Sequence, residues 1–307
     1  MLFALENRNQ YYPLFCDTFR YLRNLFSEFS DLFNLVNLAR QISLYAVIAV
    51  GETLVMTLGG IDLSVGSVLA LAGVLSAIFH LSLGNLAIAI AVGVGMVCGF
   101  VNGLLVSKLR INPFIVTLGM LNIARGIVLV ITKGFPIPIY EGSIITLGQG
   151  SFFSLPYLFL FMLGIGVLGI FLLGRTTYGN YIKAIGSNEL AAWAMGINVQ
   201  RVKIVTYTIS GLLSGLAGVL LAGRLSAGQA NAGIGWELDV IAAVIIGGTS
   251  LAGGEGSVLG TLFGAALLGM IRNGLVLFGV SMYWQTIVIG LILVGGVALG
   301  TLRELRG

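Results

Sequence analysis

Long apolar stretches alternate with short polar or glycine-rich segments along most of the chain. Nine apolar stretches follow one another from residue 42 onward, and most approach the roughly 20 residues that a helix needs to cross a bilayer. They cover residues 42–58, 63–80, 85–106, 113–131, 155–174, 204–222, 238–249, 257–275 and 283–300. The seventh is too short to cross alone, so we predict a half-helix that runs into a glycine-rich break. The pattern predicts an all-α polytopic membrane protein with about 9–10 transmembrane helices, some of them broken.

Residues 1–41 follow a different pattern. Apolar side chains recur there at alternating steps of four and three, which places them on one face of a helix, while charged residues interrupt every window that could span a bilayer. The apolar face comprises Phe15, Phe19, Leu22, Phe26, Phe29, Phe33 and Val36. Two interpretations are open: an amphipathic helix in the membrane interface, or a soluble helix packed on a partner. We therefore divide the chain into an amphipathic N-terminal segment, 1–41, and a transmembrane domain, 42–303.

Two glycine-rich breaks interrupt the apolar pattern and partly repeat one another. The first is GGIDLSVGS at residues 59–67, and the second begins with GGTSL at 247–251 and continues as GSVL at 256–259. Irregular backbone at membrane depth is tolerated only where protein or a water-filled cavity surrounds it, so a matching pair of breaks indicates a transport path. The alternative is a pair of tight turns between spans, with a coincidental likeness in a glycine-rich chain.

Composition excludes several classes of protein. The chain is 57% hydrophobic and 9% charged, with a mean hydropathy of +1.02, whereas soluble proteins carry about a quarter of charged residues. The net charge of +4 is spread out, and no basic run indicates a nucleic-acid groove. Two cysteines, Cys16 and Cys98, do not form a disulfide framework.

Catalytic and metal-binding templates are missing from the sequence. It contains no Walker A motif, no H-E-x-x-H and no G-x-S-x-G. With His80 as the single histidine, a Cys/His metal cluster is impossible. We therefore predict that the protein is not an enzyme, holds no metal and does not itself hydrolyse nucleotide by P-loop chemistry.

Lysine and arginine residues predict the orientation, because short loops rich in them stay in the cytoplasm. Strict alternation across nine spans puts three basic segments on one side: the loop with Lys108 and Arg110, the loop 175–203 and the C-terminus. The same alternation puts residue 41 outside, although residues 1–41 carry four arginines. Either the amphipathic segment crosses while other helices cover it, or the N-terminus is external.

The loop 175–203 contains a short predicted helix, Gly186–Gly196. Ser187 is placed to cap its N-terminus, Glu189 suits the positive end of the helix dipole, and Gly196 suits its C-terminal stop. A capped cytoplasmic helix between basic residues fits a docking element. The alternative is an ordinary connector without a partner.

Several ionisable residues lie inside or beside the spans, where such residues are costly and often functional. Glu52 lies in the middle of the first span. Its carboxyl group is predicted to be either protonated or hydrogen-bonded between helices. Asp62 either caps a helix at Leu63–Ser64 or serves the transport path. Arg125, near the outer end of the fourth span, either snorkels outward or lines a polar cavity. Arg272 is predicted to be interfacial.

Three of these segments together resemble ribose-type ABC importer permeases. They are residues 49–67, which end in GGIDLSVGS, residues 178–189, YGNYIKAIGSNE, and residues 238–254, LDVIAAVIIGGTSLAGG. The resemblance covers about residues 34–300, in order and at plausible spacing. One departure is the charged stretch that replaces the apolar first span of family members.

The resemblance implies a bacterial inner-membrane permease of the type II importer kind. Two permease subunits would form the path, two ATP-binding subunits would lie beneath it, and an extracytoplasmic sugar-binding protein would deliver the substrate. The permease itself would hold no cofactor, because the ATPase subunit binds the ATP. The predicted ATPase-coupling residues are Gly186, Ser187, Asn188, Glu189, Ala192 and Gly196. The candidate path residues are Asp62, Ser64, Arg125, Thr249 and Ser250.

We therefore predict a permease subunit that imports a monosaccharide or a sugar-like small molecule, driven by a separate ATPase. The main alternative is an ion-coupled secondary transporter that uses Glu52, Asp62 and Arg125. A membrane-embedded enzyme is disfavoured, because no nucleophile lies beside a general base. The sequence identifies neither the sugar nor the pairing of the permease subunits.

Overall fold

Helices account for nearly all of the regular structure. The computed structural model describes residues 2–281, 283–291 and 294–295. The helices are α1 Leu2–Leu25, α2 Leu32–Thr57, α3 Val65–Leu83, α4 Leu86–Lys108, α5 Pro113–Thr132, α6 Ser143–Gln149, α7 Tyr157–Arg175, α8 Thr177–Ser187, α9 Glu189–Ala194, α10 Val199–Leu225, α11 Trp236–Ile246 and α12 Val258–Leu277, with a 3₁₀ turn at Ser27–Ser30. Four two-residue strands, β1 Ile137–Pro138, β2 Ser151–Phe152, β3 Leu155–Pro156 and β4 Ala227–Gly228, pair antiparallel as β1–β4 and β2–β3.

Seven helices in the described part of the chain are long and apolar enough to cross a membrane: α2, α3, α4, α5, α7, α10 and α12. Each coincides with one predicted stretch, which confirms the all-α polytopic fold class. The seventh stretch forms α11, which has only 11 residues and is therefore the half-helix that its length predicted. The ninth stretch, 283–300, is helical at 283–291 and 294–295, and its remaining residues lie outside the described ones.

The first long helix begins earlier than the apolar pattern predicted. α2 starts at Leu32 instead of residue 42, so residues 32–41 belong to this helix and not to the N-terminal segment. Two of its early polar residues contact other helices: the Asn34 side chain exchanges amide hydrogen bonds with Asn273 of α12, and Arg40 donates to the carbonyl of Gln149. These contacts allow the helix to continue through residues that look like a boundary in the sequence.

α1 lies against α12 and runs in the same direction. The Phe15 ring contacts Phe263, with centroids 5.9 Å apart, and the Phe26 ring contacts Phe278 at 4.5 Å. The apolar face of the segment therefore packs on its own chain as far as Phe29, which is fully buried. α1 is thus covered by its own chain on its apolar face, although it is not among the described helices that are long and apolar enough to cross a membrane.

The loops gather into two layers at opposite ends of the bundle. In one layer, α6 contacts the start of α4, where Ser143 donates to Asn85. The same helix contacts the end of α10, where Gln149 donates to Ser226. The β1–β4 pair, with Ile137 opposite Gly228, lies in this outer layer. The other layer contains α8, α9 and the ends of α2 and α11. This division agrees with the strict alternation of spans, so the basic loop 175–203 lies on the predicted cytoplasmic side.

α10 forms the centre of the bundle, where it packs on α2, α3 and α4. It approaches α4 closely because glycines face each other: a Cβ on Gly99 would overlap the carbonyl oxygen of Tyr207 and reach within 3.0 Å of Gly211 Cα. Such small-residue contacts let helix backbones approach closely inside a membrane, where no hydrophobic force drives helices together. The glycines of α4 and α10 at this contact therefore form packing faces.

Candidate functional site

The first break begins where α2 ends in a left-handed glycine turn. The N–H of Gly59 donates to the carbonyl of Met56 at 2.9 Å, and the N–H of Gly60 donates to Val55 at 3.0 Å. Gly59 has a φ of +87°, a conformation that costs glycine no steric strain. The chain then turns back toward α2, because the Asp62 N–H reaches the carboxylate of Glu52 at 3.1 Å.

Asp62 is the centre of a buried polar network. One carboxylate oxygen accepts from the N–H of Ser64 at 3.0 Å and from its hydroxyl at 2.6 Å, and the other accepts from Ser210 of α10 at 2.9 Å. Asn102 of α4 donates to the Ser64 hydroxyl at 3.0 Å. Ser64 itself is the N-cap residue of α3, so Asp62 does not cap the helix directly. The network fixes the shape of the break, since four segments contribute to it.

Sequence reasoning missed Ser210 and Asn102, both of which are buried. The signal for them was available, because each is a polar residue inside a predicted span. A polar side chain in hydrocarbon usually has a partner in another helix. The sequence did not show that both residues serve the same carboxylate.

The second break repeats the glycine turn of the first, displaced by one residue from the alignment of the sequences. The N–H of Gly248 donates to Ile245 at 2.8 Å and that of Thr249 to Val244 at 3.2 Å, and Gly248 has a φ of +83°. Gly248, and not Gly247, therefore corresponds to Gly59.

The remainder of the second break does not follow the sequence echo. Ser257 caps α12 by accepting from the N–H of Gly260, so its counterpart is Ser64 and not Ser67. The Thr249 hydroxyl accepts from the Ser257 N–H at 3.4 Å, and the Ser250 hydroxyl accepts from the Ala252 N–H at 3.2 Å. In this conformation both candidate path residues stabilise their own loop.

Arg125 binds backbone carbonyl groups. Its guanidinium donates to the carbonyl oxygens of Ala230 at 2.6 Å and Ala232 at 2.9 Å. The segment 229–235 that leads into α11 is therefore held against α5 by a charged side chain that is partly buried. Outward snorkelling does not describe this arrangement, and Arg125 lies apart from the Asp62 network.

Arg272 differs from its prediction as an interfacial residue. Its guanidinium makes two hydrogen bonds to the carboxylate of Asp239, at 2.9 and 2.8 Å, and a third to the Tyr45 hydroxyl at 2.8 Å. The Tyr45 ring lies 4.3 Å from that of Trp236. These contacts join α12, α11 and α2, so Arg272 holds the half-helix in place.

The cytoplasmic segment forms two short helices instead of one. α8 continues through Ser187, whose hydroxyl donates to the carbonyl of Lys183, and α9 starts after Asn188. Asn188 caps α9 by accepting from the Ala191 N–H at 2.9 Å, so the prediction of Ser187 as the cap was wrong by one residue. Gly196 ends the helix with φ +84°, as its position predicted.

α9 presents large apolar side chains away from the bundle. Leu190 is 79% exposed, Trp193 70% and Met195 70%, whereas Ala192 is buried beneath them. Glu189 forms an ion pair with Lys203 at 2.7 Å. The sequence analysis assigned coupling roles to Glu189 and Ala192 but missed the three exposed residues, because apolar residues in a predicted short helix do not reveal which face is covered.

The segment before α9 is anchored on α10. The Tyr178 hydroxyl lies 2.8 Å from the Thr206 hydroxyl. Burial raises the pKa of Tyr178 to about 12, so this phenol stays neutral and hydrogen-bonded at physiological pH. α9 is therefore displayed on a well-packed base.

The geometry brings three predicted segments together. Gly186 at the end of α8 lies directly against both breaks: a Cβ on it would overlap the carbonyl oxygen of Thr57 and the amide nitrogen of Gly254. Residues 34–297 match the family described as branched-chain amino acid transport system, permease component. The chain belongs to this family of permeases.

Several characterised relatives resemble the permease over most of its length. The ribose import permease protein RbsC of Escherichia coli is 45% identical over 268 residues, 85% of this chain and 83% of the relative. RbsC of Bacillus subtilis is 43% identical over 276 residues, 89% and 86%. The L-arabinose ABC transporter permease protein AraH of Azospirillum brasilense is 35% identical over 306 residues, 99% and 90%. No solved structure gives a significant match.

The predicted family and class of function are thereby confirmed. The protein is a multi-pass inner-membrane permease subunit of an ABC import system and is not an enzyme. Neither the structure nor these relatives favour the ion-coupled transporter that the buried charges left open. Among the described residues, no group of three or more His, Cys, Asp and Glu side chains is arranged to hold a metal ion.

Proposed function

We propose that the permease admits a monosaccharide or a sugar-like molecule into the bacterial cytoplasm. The names of its relatives support sugars over amino acids, although the family description mentions the latter. A neutral polyol also suits the chain better, since only 9% of its residues are charged. A zwitterionic substrate would need charged partners along the path.

The energy comes from a separate ATPase subunit that binds α9. The observation that carries this proposal is the set of exposed apolar side chains, Leu190, Trp193 and Met195, on a capped cytoplasmic helix. Large exposed apolar residues on a monomer indicate an interaction site, and tryptophan is enriched at the energetic centres of interfaces. ATP and its chemistry belong to the partner.

The remaining coupling residues support α9 without all contacting the partner. Asn188 and Gly196 delimit the helix, Ala192 seats it, and Glu189 ties it to α10 through Lys203. Gly186 and Ser187 connect it to the glycine-rich breaks.

A second permease subunit and an extracytoplasmic sugar-binding protein complete the proposed importer. The path runs beside the two breaks, with Asp62 and Ser64 shaping the first and Thr249 and Ser250 the second. Arg125 positions the segment that enters the half-helix. These residues shape the walls, so direct contact with sugar is not required of them.

Reconstitution into liposomes with the cognate ATPase and binding protein tests the proposal. Uptake of radiolabelled ribose or arabinose is expected only with ATP and all subunits present. Deleting Ser187–Met195 is expected to abolish both ATPase binding and uptake while the subunit still inserts, and Glu189→Lys is expected to weaken both by opposing Lys203. Uptake driven by an ion gradient without ATP would refute the assignment.

A further inference from the structure

Three backbone turns meet at the cytoplasmic end of α2 without any side chain between them. Gly59 follows α2, Gly186 lies in the last turn of α8, and Gly253 lies in the loop between α11 and α12. A Cβ on Gly253 would lie 2.9 Å from the Gly186 carbonyl oxygen and 2.9 Å from Gly59 Cα, and one on Gly59 would lie 3.8 Å from Gly186 Cα. Each turn therefore touches the other two.

At this point a hydrogen bond joins the end of α2, just before the first break, to the second break. The N–H of Gly254 donates to the carbonyl of Thr57, the last residue of α2, at 2.8 Å. Gly186 covers this bond, since a Cβ on it would overlap both bonded atoms. The end of α8 therefore packs against the hydrogen bond that joins the end of α2 to the second break.

The same end of α8 continues directly into the proposed docking helix. Asn188 is both the C-cap of α8 and the N-cap of α9. Gly186 lies two residues before it, so a displacement of α9 also moves Gly186. A displacement of Gly186 must shift the backbones that it contacts. Packed interiors are nearly incompressible, and glycine has no side chain that could change rotamer instead.

We propose that Gly186 is the positioning residue through which α9 acts on both breaks, coupling events in the ATPase to rearrangement of the path. The inference rests on the proposed function, because it requires a motor bound at α9. It adds that the signal passes through the backbone contact at Gly186.

The first test is Gly186→Ala in the complex reconstituted with ATPase and binding protein. The matched control is Gly174→Ala, near the end of α7, where an added Cβ meets nothing within 4 Å. Three quantities are measured: affinity of the ATPase for the permease, ATP hydrolysis, and labelled sugar taken up per ATP hydrolysed. For Gly186→Ala we expect the ATPase still to bind and to hydrolyse ATP, with uptake per ATP reduced about ten-fold or more. The control is expected to match the wild type in all three.

A second test adds and then removes a steric conflict at the same junction. A Cβ on Gly256 would overlap the Thr57 hydroxyl oxygen, and that hydroxyl donates to Thr53 within its own helix. Gly256→Ala is expected to lower uptake per ATP, and the double variant Gly256→Ala with Thr57→Ala to recover most of it. This pair keeps the inference testable if Gly186→Ala inserts poorly.

The outcomes separate the inference from the proposed function. If the wild-type ATPase does not bind α9, the proposed function fails. If binding is intact and Gly186→Ala leaves uptake per ATP unchanged, only the inference is overturned. It is equally overturned if hydrolysis and uptake fall in parallel with the amount of folded subunit, because a purely structural role gives that result.

Discussion

Replacing Trp193 with alanine should weaken the binding of the ATPase subunit strongly while leaving the permease folded. The side chain is 70% exposed, so its truncation removes little internal packing. A tryptophan presents about 200 Å² of surface, of which about 140 Å² is therefore open to a partner. At about 25 cal/mol per Å², covering that surface is worth about 3.5 kcal/mol.

The free energy gained on binding is not given by buried area alone, because ordering of side chains on association offsets part of it. Truncation of a central tryptophan typically costs about 2 to 4 kcal/mol. We therefore expect the dissociation constant of the ATPase–permease complex to rise roughly 30- to 900-fold. Uptake should fall accordingly at subsaturating ATPase and recover when the ATPase is in excess.

The assay is binding of purified ATPase to detergent-solubilised permease immobilised through a tag. Trp284→Ala is the matched control, since Trp284 is 63% exposed but follows α12 at the opposite end of the bundle from α9. It should bind the ATPase as the wild type does. A dissociation constant for Trp193→Ala within about three-fold of wild type, which corresponds to less than 1 kcal/mol, would refute α9 as the docking helix.

Three further predictions concern the scaffold. Gly99→Ala should lower the free energy of unfolding by about 1–3 kcal/mol, because the added Cβ overlaps a carbonyl of α10. Gly93→Ala, with open space on the same helix, should be neutral or stabilising. Thermal unfolding of both variants in detergent measures the difference. Arg272→Met should cost about 3 kcal/mol by leaving the largely buried Asp239 unpaired, and adding Asp239→Asn should recover part of the loss in the same assay. Arg125→Gln should release the segment 229–235 from two carbonyl contacts and speed amide hydrogen exchange there.

Each scaffold prediction has a result that would contradict it. Equal melting temperatures for the two glycine variants would show that α4 and α10 can separate without cost. A double variant at Arg272 and Asp239 no better than the single one would show that the ion pair does not hold the half-helix. Unchanged exchange in segment 229–235 would remove the positioning role of Arg125.

The class of fold could be read from the sequence because hydrophobic length is a local property. A helix must bury about 20 apolar residues to cross a bilayer, so the spans and the short α11 followed from counting. The glycines that end α2 and α9 were likewise predictable, since a left-handed residue after a helix favours glycine.

Local patterns failed wherever a distant partner decides the outcome. α2 extends through Arg40, whose guanidinium donates to the carbonyl of Gln149 at the end of α6. α8 extends through Ser187, so the N-cap of α9 is Asn188. Ser187 and Asn188 are both good capping residues, and the packing of α8 on the two breaks decides between them. Arg272 was taken for an interfacial residue because its partner, Asp239, lies on another helix.

The sequence by itself determined which segments are helical, where they break and which family the chain resembles, since periodicity and hydrophobic length act over neighbouring residues. Only the tertiary structure decided that Gly59, Gly186 and Gly253 meet, and that Asp62 draws its donors from α10 and from the start of α3. These contacts join residues up to about 190 positions apart in the chain. Their geometry depends on how the helices pack, which no local pattern records.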